Sequence, residues 1–300
     1  MISRRALLWS APVLLPMGSV AAAASFSMGE ASFGLAVQRY TVRMPGWGAR
    51  PPMTVCAVAD VHAGGPWMTL DRVGQIVEAA NALRPDLMVI LGDLPAHYRF
   101  IAEPYPPAEI AAVLAGLQAP LGRYAVLGNH DWWDDPRFAG RDREGHPGEC
   151  AMHGVLERAG IPVLINSATL LAHAGGVWLL GTESDWVRTV GGNPTGPSDL
   201  GAALAMVNDD RPAMLLAHEP DIFPRVPERI GLTLCGHTHG GQIRPFGRVL
   251  SVPSRYGNRY AYGHISEGGR QMIVSGGLGC SKAPIRLGIP PELTLVTLAG

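Results

Sequence analysis

Cys235-Gly236-His237-Thr238-His239-Gly240-Gly241-Gln242 places two histidines one residue apart between glycines, a pattern that packing alone does not require. An apolar run over 230–235 carries the chain to them as a buried strand would. The glycines then allow a tight turn beside whatever the imidazoles hold. Alone, such a histidine pair is weak evidence for a metal. Four earlier segments repeat its grammar, an apolar strand-like run ending in a metal-ligating residue type. Residues 55–59 lead into Asp60-Val61-His62, 87–91 into Gly92-Asp93, 124–127 into Gly128-Asn129-His130-Asp131, and 214–217 into His218. Five strand ends are therefore expected to converge on one site.

The segments between these runs read as helices. Thr69 is a suitable N-cap for a helix with Leu70, Val73, Val77 and Ala80 on one face, which ends before Pro85. Pro106-Pro107 opens a second helix with Ile110, Val113, Leu114 and Leu117 inward, before a strand over 123–127. This β-α-β-α-β layout makes successive strands parallel and sets their carboxyl ends, where ligands bind, along one edge. Residues 132–148 read as a loop, 150–159 as a helix, and 161–164, 168–172 and 177–181 as short strands. A loop over 185–200, a helix over 199–207 and a strand over 213–217 follow. Beyond the histidine pair the pattern is strand-like at 248–252, 259–265, 271–274 and 293–298.

The first 24 residues read as a leader: basic at Arg4 and Arg5, apolar over 6–20, and small at 21–24. Ser3-Arg4-Arg5-Ala6-Leu7-Leu8 resembles the twin-arginine export motif, so the export machinery is an expected partner and the periplasm or cell envelope the expected location. Peripheral association with that envelope fits the same reading. Residues 25–52 form an N-terminal extension with an edge strand over 35–42, and one domain spans 53–300. A net charge of −1 over 300 residues, more negative once Arg4 and Arg5 are removed, argues against a nucleic-acid binder. Lys282 is the single lysine, so little weight falls on any one arginine; Arg255, Arg259 and Arg286 are candidate phosphate contacts. Cys56, Cys150, Cys235 and Cys280 show no CxxC spacing and read as small hydrophobes, and a Cys56 to Cys235 bond would need neighbouring strands.

Together the strand ends supply Asp60, His62, Asp93, Asn129, His218, His237 and His239, a nitrogen and oxygen set too large for one ion. Two divalent metal ions fit, and Mn, Fe and Zn all suit the ligand types. Two such ions can share a hydroxide and stabilise the attacking and leaving oxygens of a displacement at phosphorus. The absence of thiolate argues against a closed structural zinc site.

DxH, GD, GNHD, a lone histidine after an apolar strand, and GHTHGGQ stand in the order of the calcineurin-like metallophosphoesterases, which the chain resembles over nearly all of 53–298. Val252-Pro253-Ser254-Arg255-Tyr256-Gly257 and Gly276-Gly277-Leu278-Gly279-Cys280 point to its exported YkuE-like branch. The resemblance implies an α/β fold, a four-layer α-β-β-α sandwich of two mixed sheets. It implies Asp60, His62, Asp93 and His239 at one metal and Asn129, His218 and His237 at the other, bridged by Asp93. His130 would be the catalytic histidine and Asp131 the acid that orients it. After Gly92-Asp93-Leu94 the family often has a second acid, where this chain has Pro95-Ala96-His97. Trp67, Trp132 and Trp133, which follow site motifs, are candidate pocket walls. The expected activity is a phosphodiesterase on an envelope or lipid-linked phosphate ester. A phosphomonoesterase, a nucleotide hydrolase and a non-catalytic scaffold are the alternatives.

Overall fold

The computed structural model describes residues 34–135, 150–190 and 193–300. The leader over 1–24 and most of the expected 132–148 loop lie outside them. Two sheets form the body. The first contains β1 (Ala36–Arg43), β2 (Met53–Val58), β3 (Leu87–Ile90), β4 (Arg123–Ala125) and β11 (Glu292–Ala299), in the order β1-β11-β2-β3-β4. The second contains β5 (Ser167–Leu171), β6 (Val177–Gly181), β7 (Ala213–Leu216), β8 (Leu232–Cys235), β9 (Gly263–Glu267) and β10 (Arg270–Val274), in the order β9-β10-β8-β7-β6-β5. Both are mixed: β2, β3 and β4 run parallel with β11 antiparallel to β2, and β10, β8, β7 and β6 run parallel between antiparallel β9 and β5.

Alternation along the strands makes the layers, because successive side chains point to opposite faces. In β2 and β3, Cys56, Val58, Met88 and Ile90 pack outward on Val73, Ile76, Ile110, Leu114 and Leu156. These come from α1 (Leu70–Ala82), α2 (Pro107–Leu114) and, beyond the short α3 (Asn129–Trp133), α4 (Ala151–Arg158). Val55, Ala57, Leu87 and Val89 face the other way and meet Leu179, Met214, Leu216, Leu232, Leu234 and Ile273 of the second sheet. The outer face of that sheet, with Leu180, Leu215, Cys235 and Val274, is covered by α5 (Leu200–Ala205) and by Ile222 and Phe223 of a 3-10 turn. The four-layer α-β-β-α sandwich expected from the sequence is the architecture observed.

Several details differ from the sequence reading, among them an antiparallel strand pair, Arg188–Val190 with Asn193–Thr195, inside the expected 185–200 loop. The segment assigned to an extension is part of the body: β1 pairs with β11 along its whole length, and Val42, Met44 and Trp47 are buried between the sheets. Residues 248–252 form no strand, since 3-10 turns at Pro245–Gly247 and Gly257–Tyr260 occupy the chain on either side. The strand expected at 161–164 is a single bridge from Val163 to Ala125. Cys56 and Cys235 lie in different sheets, and all four cysteines are free and buried.

Candidate metal centre

Parallel strands from both sheets end at the same edge, and the expected ligands follow those ends. Asp60 and His62 come after β2, Asp93 after β3, and Asn129 and His130 at the start of α3 after β4. His218 follows β7, and His237 and His239 follow β8. The chain leaves these strands sharply. Asp60 (φ 50°), His62 (46°), Asp93 (56°), His237 (70°) and His239 (52°) all adopt left-handed backbone that non-glycine residues rarely occupy. Neighbouring turns hold them there: Asp60 N donates to Gly92 O (3.0 Å), His62 N to Asp93 O (3.0 Å), and His237 N to Asp60 Oδ1 (2.8 Å). Gly236 is required by space, since a Cβ there would lie 2.5 Å from Asp60 Oδ2.

Two clusters of donor atoms result, Asp60 with His62 and His239, and Asp93 with His218 and His237, each with its ligating atoms within 4.8 Å of one another. Asp93 Oδ2 faces both, 3.1 Å from His218 Nε2 and 3.6 Å from His62 Nε2. His62, Asp93 and His130 form a third grouping at the same spacing. Nδ1–H of His62 donates to Pro95 O (3.2 Å) and that of His218 to Leu91 O (2.5 Å), which leaves each Nε2 as a lone-pair donor toward the centre. Asp60 Oδ2, Asn129 Oδ1 and His237 Nε2 are buried without a hydrogen-bond partner. Unpaired buried polar atoms are uncommon. Asp60 Oδ2 and Asn129 Oδ1 lie among imidazole donors, and His237 turns its Nδ1 toward His218 Nε2 (3.3 Å); such a set suits divalent cations, so the residues present fit such ions.

The electrostatics divide the ligands between groups already free and groups that hold a proton until a cation displaces it. Burial raises the Asp60 carboxyl to about 7, with the Asp93 charge adding to the rise. At Asp93 burial is outweighed by the His218 and His130 charges, which hold it well below the usual carboxylate range. Burial also lowers His62 to about 4 and His237 to about 3, so both imidazoles stay neutral and able to ligate. His218 moves the opposite way, because Asp93 overcomes the effect of burial.

The acid expected to orient His130 is not Asp131. Asp131 Oδ2 accepts from the backbone N–H of Asp93 (2.9 Å) and Gly128 (2.8 Å), and its Oδ1 from that of Leu94 (3.0 Å). That carboxylate therefore ties the β3 turn to the start of α3. His130 Nδ1 instead meets Asp134 Oδ2 at 2.9 Å. Helix geometry explains the change, since residues four apart share a face and adjacent ones do not. Burial alone would lower the His130 pKa, but the Asp93 and Asp134 charges outweigh it and raise it. His97 reaches the same carboxylate from outside, Nδ1 to Asp134 Oδ2 3.8 Å.

Above the clusters opens a cleft of ≈ 420 Å³, whose walls include Trp133, Trp186, Gln242, Ile243, Leu250 and Lys282. Of the three tryptophans expected as walls, only Trp133 lines it; Trp132 is buried with Nε1 donating to Glu183 Oε1 (3.1 Å), and Trp67 Nε1 donates to Phe100 O (3.0 Å). Trp186 was not signalled by any adjacent motif, yet its ring packs edge-on against His237 at 4.7 Å. Arg286 is fully buried, donating to Gly276 O (2.9 Å) and Gly279 O and approaching His239 Nδ1 at 3.3 Å. It braces the tail beneath the site and does not face a substrate. Arg259 is engaged at the surface by Glu267 (2.8 Å).

Comparison with known proteins gives the same assignment. The family described as calcineurin-like phosphoesterase matches residues 53–241. The metallophosphoesterase YkuE of Bacillus subtilis (strain 168) is 30% identical over 246 residues, 80% of this chain and 77% of that protein. A metallophosphoesterase of Aquifex aeolicus (strain VF5) is 27% identical over 274 residues, 90% of this chain and 94% of that one. The phosphodiesterase YaeI of Escherichia coli (strain K12) is 29% identical over 255 residues, 82% of each chain. Members typically bind divalent metals, which accords with the ligand clusters here. Two mixed sheets with donor atoms gathered at their strand ends, and a family match across most of both sheets, make this chain a member of the calcineurin-like phosphoesterase family, whose chemistry is metal-dependent hydrolysis of phosphoesters.

Proposed function

We propose that this protein is a phosphodiesterase acting outside the cytoplasm on an envelope or lipid-linked phosphate. In this reading Asp60, His62 and His239 hold one divalent cation, Asn129, His218 and His237 a second, and Asp93 lies between them. The observation that carries it is the pair of unpaired oxygens, Asp60 Oδ2 and Asn129 Oδ1, buried at strand ends where clusters of donor atoms join residues from both sheets. The cations, when bound, supply Lewis-acid activation of water and offset charge on the phosphoryl oxygens.

The chain itself supplies the proton. His130 lines the cleft with 24% of its side chain exposed, and Asp134 holds the Nδ1 proton. That leaves Nε2 to protonate the departing oxygen, and the neighbouring carboxylates favour the charged imidazolium that does so. Preference for a diester is supported by similarity to a protein named a phosphodiesterase, and export by the arginine pair in the leader. The test is metal analysis of the purified chain alongside hydrolysis of a bis-aryl phosphodiester and an aryl phosphomonoester. Metal-dependent turnover, lost on chelation, with the diester preferred, is expected. Faster monoester hydrolysis overturns the substrate class, and a chain that binds no metal overturns the enzyme.

A further inference from the structure

Directly after the histidine pair the chain builds a rim to the cleft that spends its apolar side chains on solvent. Phe246 is 103% exposed, Leu250 66% and Ile243 37%. Ile243 and Leu250 also line the cleft, so this rim is continuous with the metal centre. Phe246 has φ 54° and ψ 31°, a left-handed conformation in which a bulky aromatic is an outlier. A residue that is strained and buries nothing does no work for the fold.

The turn bearing it is nonetheless firmly built. Arg244 N donates to Leu287 O (2.7 Å), Leu287 N to Gln242 O (3.0 Å) and Gly247 N to Arg244 O (3.0 Å). The Gln242 amide donates to Ser281 O (3.2 Å) and Ala283 O (3.0 Å). The rim therefore presents Phe246 in a fixed place.

Charge is segregated around it. Residues 242–256 hold Arg244, Arg248 and Arg255 and no Asp or Glu, in a chain whose net charge is −1. Arg248 and Arg255 are exposed, and exposed Lys282 lines the cleft with Ile243 and Leu250. Exposed aromatic and aliphatic side chains flanked by cations, with no anion free among them, match a bilayer surface of anionic lipid. The apolar tips enter the headgroup boundary and the cations meet phosphate.

We propose that residues 242–256, with Lys282, dock this protein on an anionic lipid bilayer, so that a phosphoester held in that bilayer reaches the cleft without leaving it. This deepens the lipid-linked reading above and rests on it for the substrate, although docking itself needs no turnover.

The test uses the full chain with Phe246→Cys carrying an environment-sensitive fluorophore, since the four native cysteines are buried and do not compete for label. Vesicles of phosphatidylcholine with phosphatidylglycerol should shift its emission to the blue, and phosphatidylcholine alone should not. The same label on Leu170→Cys, exposed on β5, should not respond. Phe246→Asn suits the left-handed backbone and keeps the fold. It should weaken vesicle binding by roughly tenfold, and Arg248→Glu by at least about fivefold. Both variants should hydrolyse a soluble aryl diester at the wild-type rate. Binding through the apolar leader would leave position 246 silent and both variants unaffected, and that result overturns the proposal. So does an equal shift on neutral vesicles, or a shift that follows protein concentration without lipid. Absence of hydrolysis in every variant would instead remove the enzymatic reading and leave docking standing.

Discussion

Asp134→Asn would separate the proton-handling role proposed for His130 from the proposed metal sites. Asparagine keeps the shape of the side chain and an oxygen able to accept from Nδ1, and removes only the charge. The contact is 2.9 Å, with 24% of the His130 side chain and 12% of the Asp134 side chain exposed, so solvent screens it only in part. Hydrogen bonds to charged groups contribute about 1.5–3 kcal/mol. Allowing for the retained neutral bond and for that exposure, the imidazolium should lose roughly 1.4 kcal/mol, close to one pKa unit. The sign follows from the role. Asp134 raises the His130 pKa, and a general acid must be protonated, so without Asp134 the proton is lost at lower pH. For a dialkyl phosphate the alkaline limb of kcat/KM should therefore move to lower pH, with the rate falling by up to about tenfold above the limb and hardly at all on its acid side. A p-nitrophenyl diester releases an anion that needs no proton, and its profile should hardly change. His130→Asn should extend the contrast to roughly 10²–10⁴-fold on the alkyl substrate alone. The assay is the pair of pH profiles at matched metal occupancy. Equal losses on both substrates, or loss of metal from His130→Asn through the His62, Asp93 and His130 grouping, would refute the general-acid role.

If Asp93 joins the two clusters, Asp93→Asn should lower the occupancy of both metals, whereas Asn129→Ala should loosen chiefly one; metal analysis of folded protein showing equal losses would break the pairing. Cation affinity should fall below pH 7, because Asp60 holds a proton up to about 7 and His218 is also raised, while His62 at about 4 and His237 at about 3 are already free. Calorimetry in buffers of different ionisation enthalpy at pH 6 should then find about two protons released on full loading, and five or more would show that the histidines are charged. Asp131→Asn should weaken the junction of the β3 turn with α3, seen as a lower Tm, without moving the alkaline limb; a shift of the limb would return the orienting role to Asp131. Arg4 and Arg5 changed together to Lys should leave the precursor in the cytoplasm by fractionation, and unchanged export would remove the twin-arginine assignment.

Much of this was legible because the site lies where strands end, and strand ends are marked in sequence by apolar runs stopping at a polar residue. Asp60, Asp93, His218 and His237 were found that way, and the β-α-β-α-β order fixed the parallel strands that carry three of the five ends. Asp134 was missed because its claim depends on Asn129–Trp133 being helical, and five residues opening on glycine give no periodicity to read. Trp186 was missed for a different reason: it reaches His237 across space from a loop, with no local signal. The role of residues 36–47 was hidden too, since an edge strand pairing parallel with the last strand leaves its pairing partner some 250 residues away in sequence.

The left-handed backbone at Asp60, His62, Asp93, His237 and His239 bears on how this centre fares under mutational drift. Non-glycine residues held in sparsely populated conformations cost on the order of 1–3 kcal/mol each. Asparagine, whose short side chain can hydrogen-bond its own backbone, enters that conformation somewhat more readily than histidine does. Replacing any of the three histidines with asparagine would thus tend to relax the chain while dismantling the site. Stability and catalysis pull in opposite directions at the same residues. In a lineage released from selection for hydrolysis, the metal centre would be among the first features to erode, and the descendants would be sturdier proteins on the same two sheets.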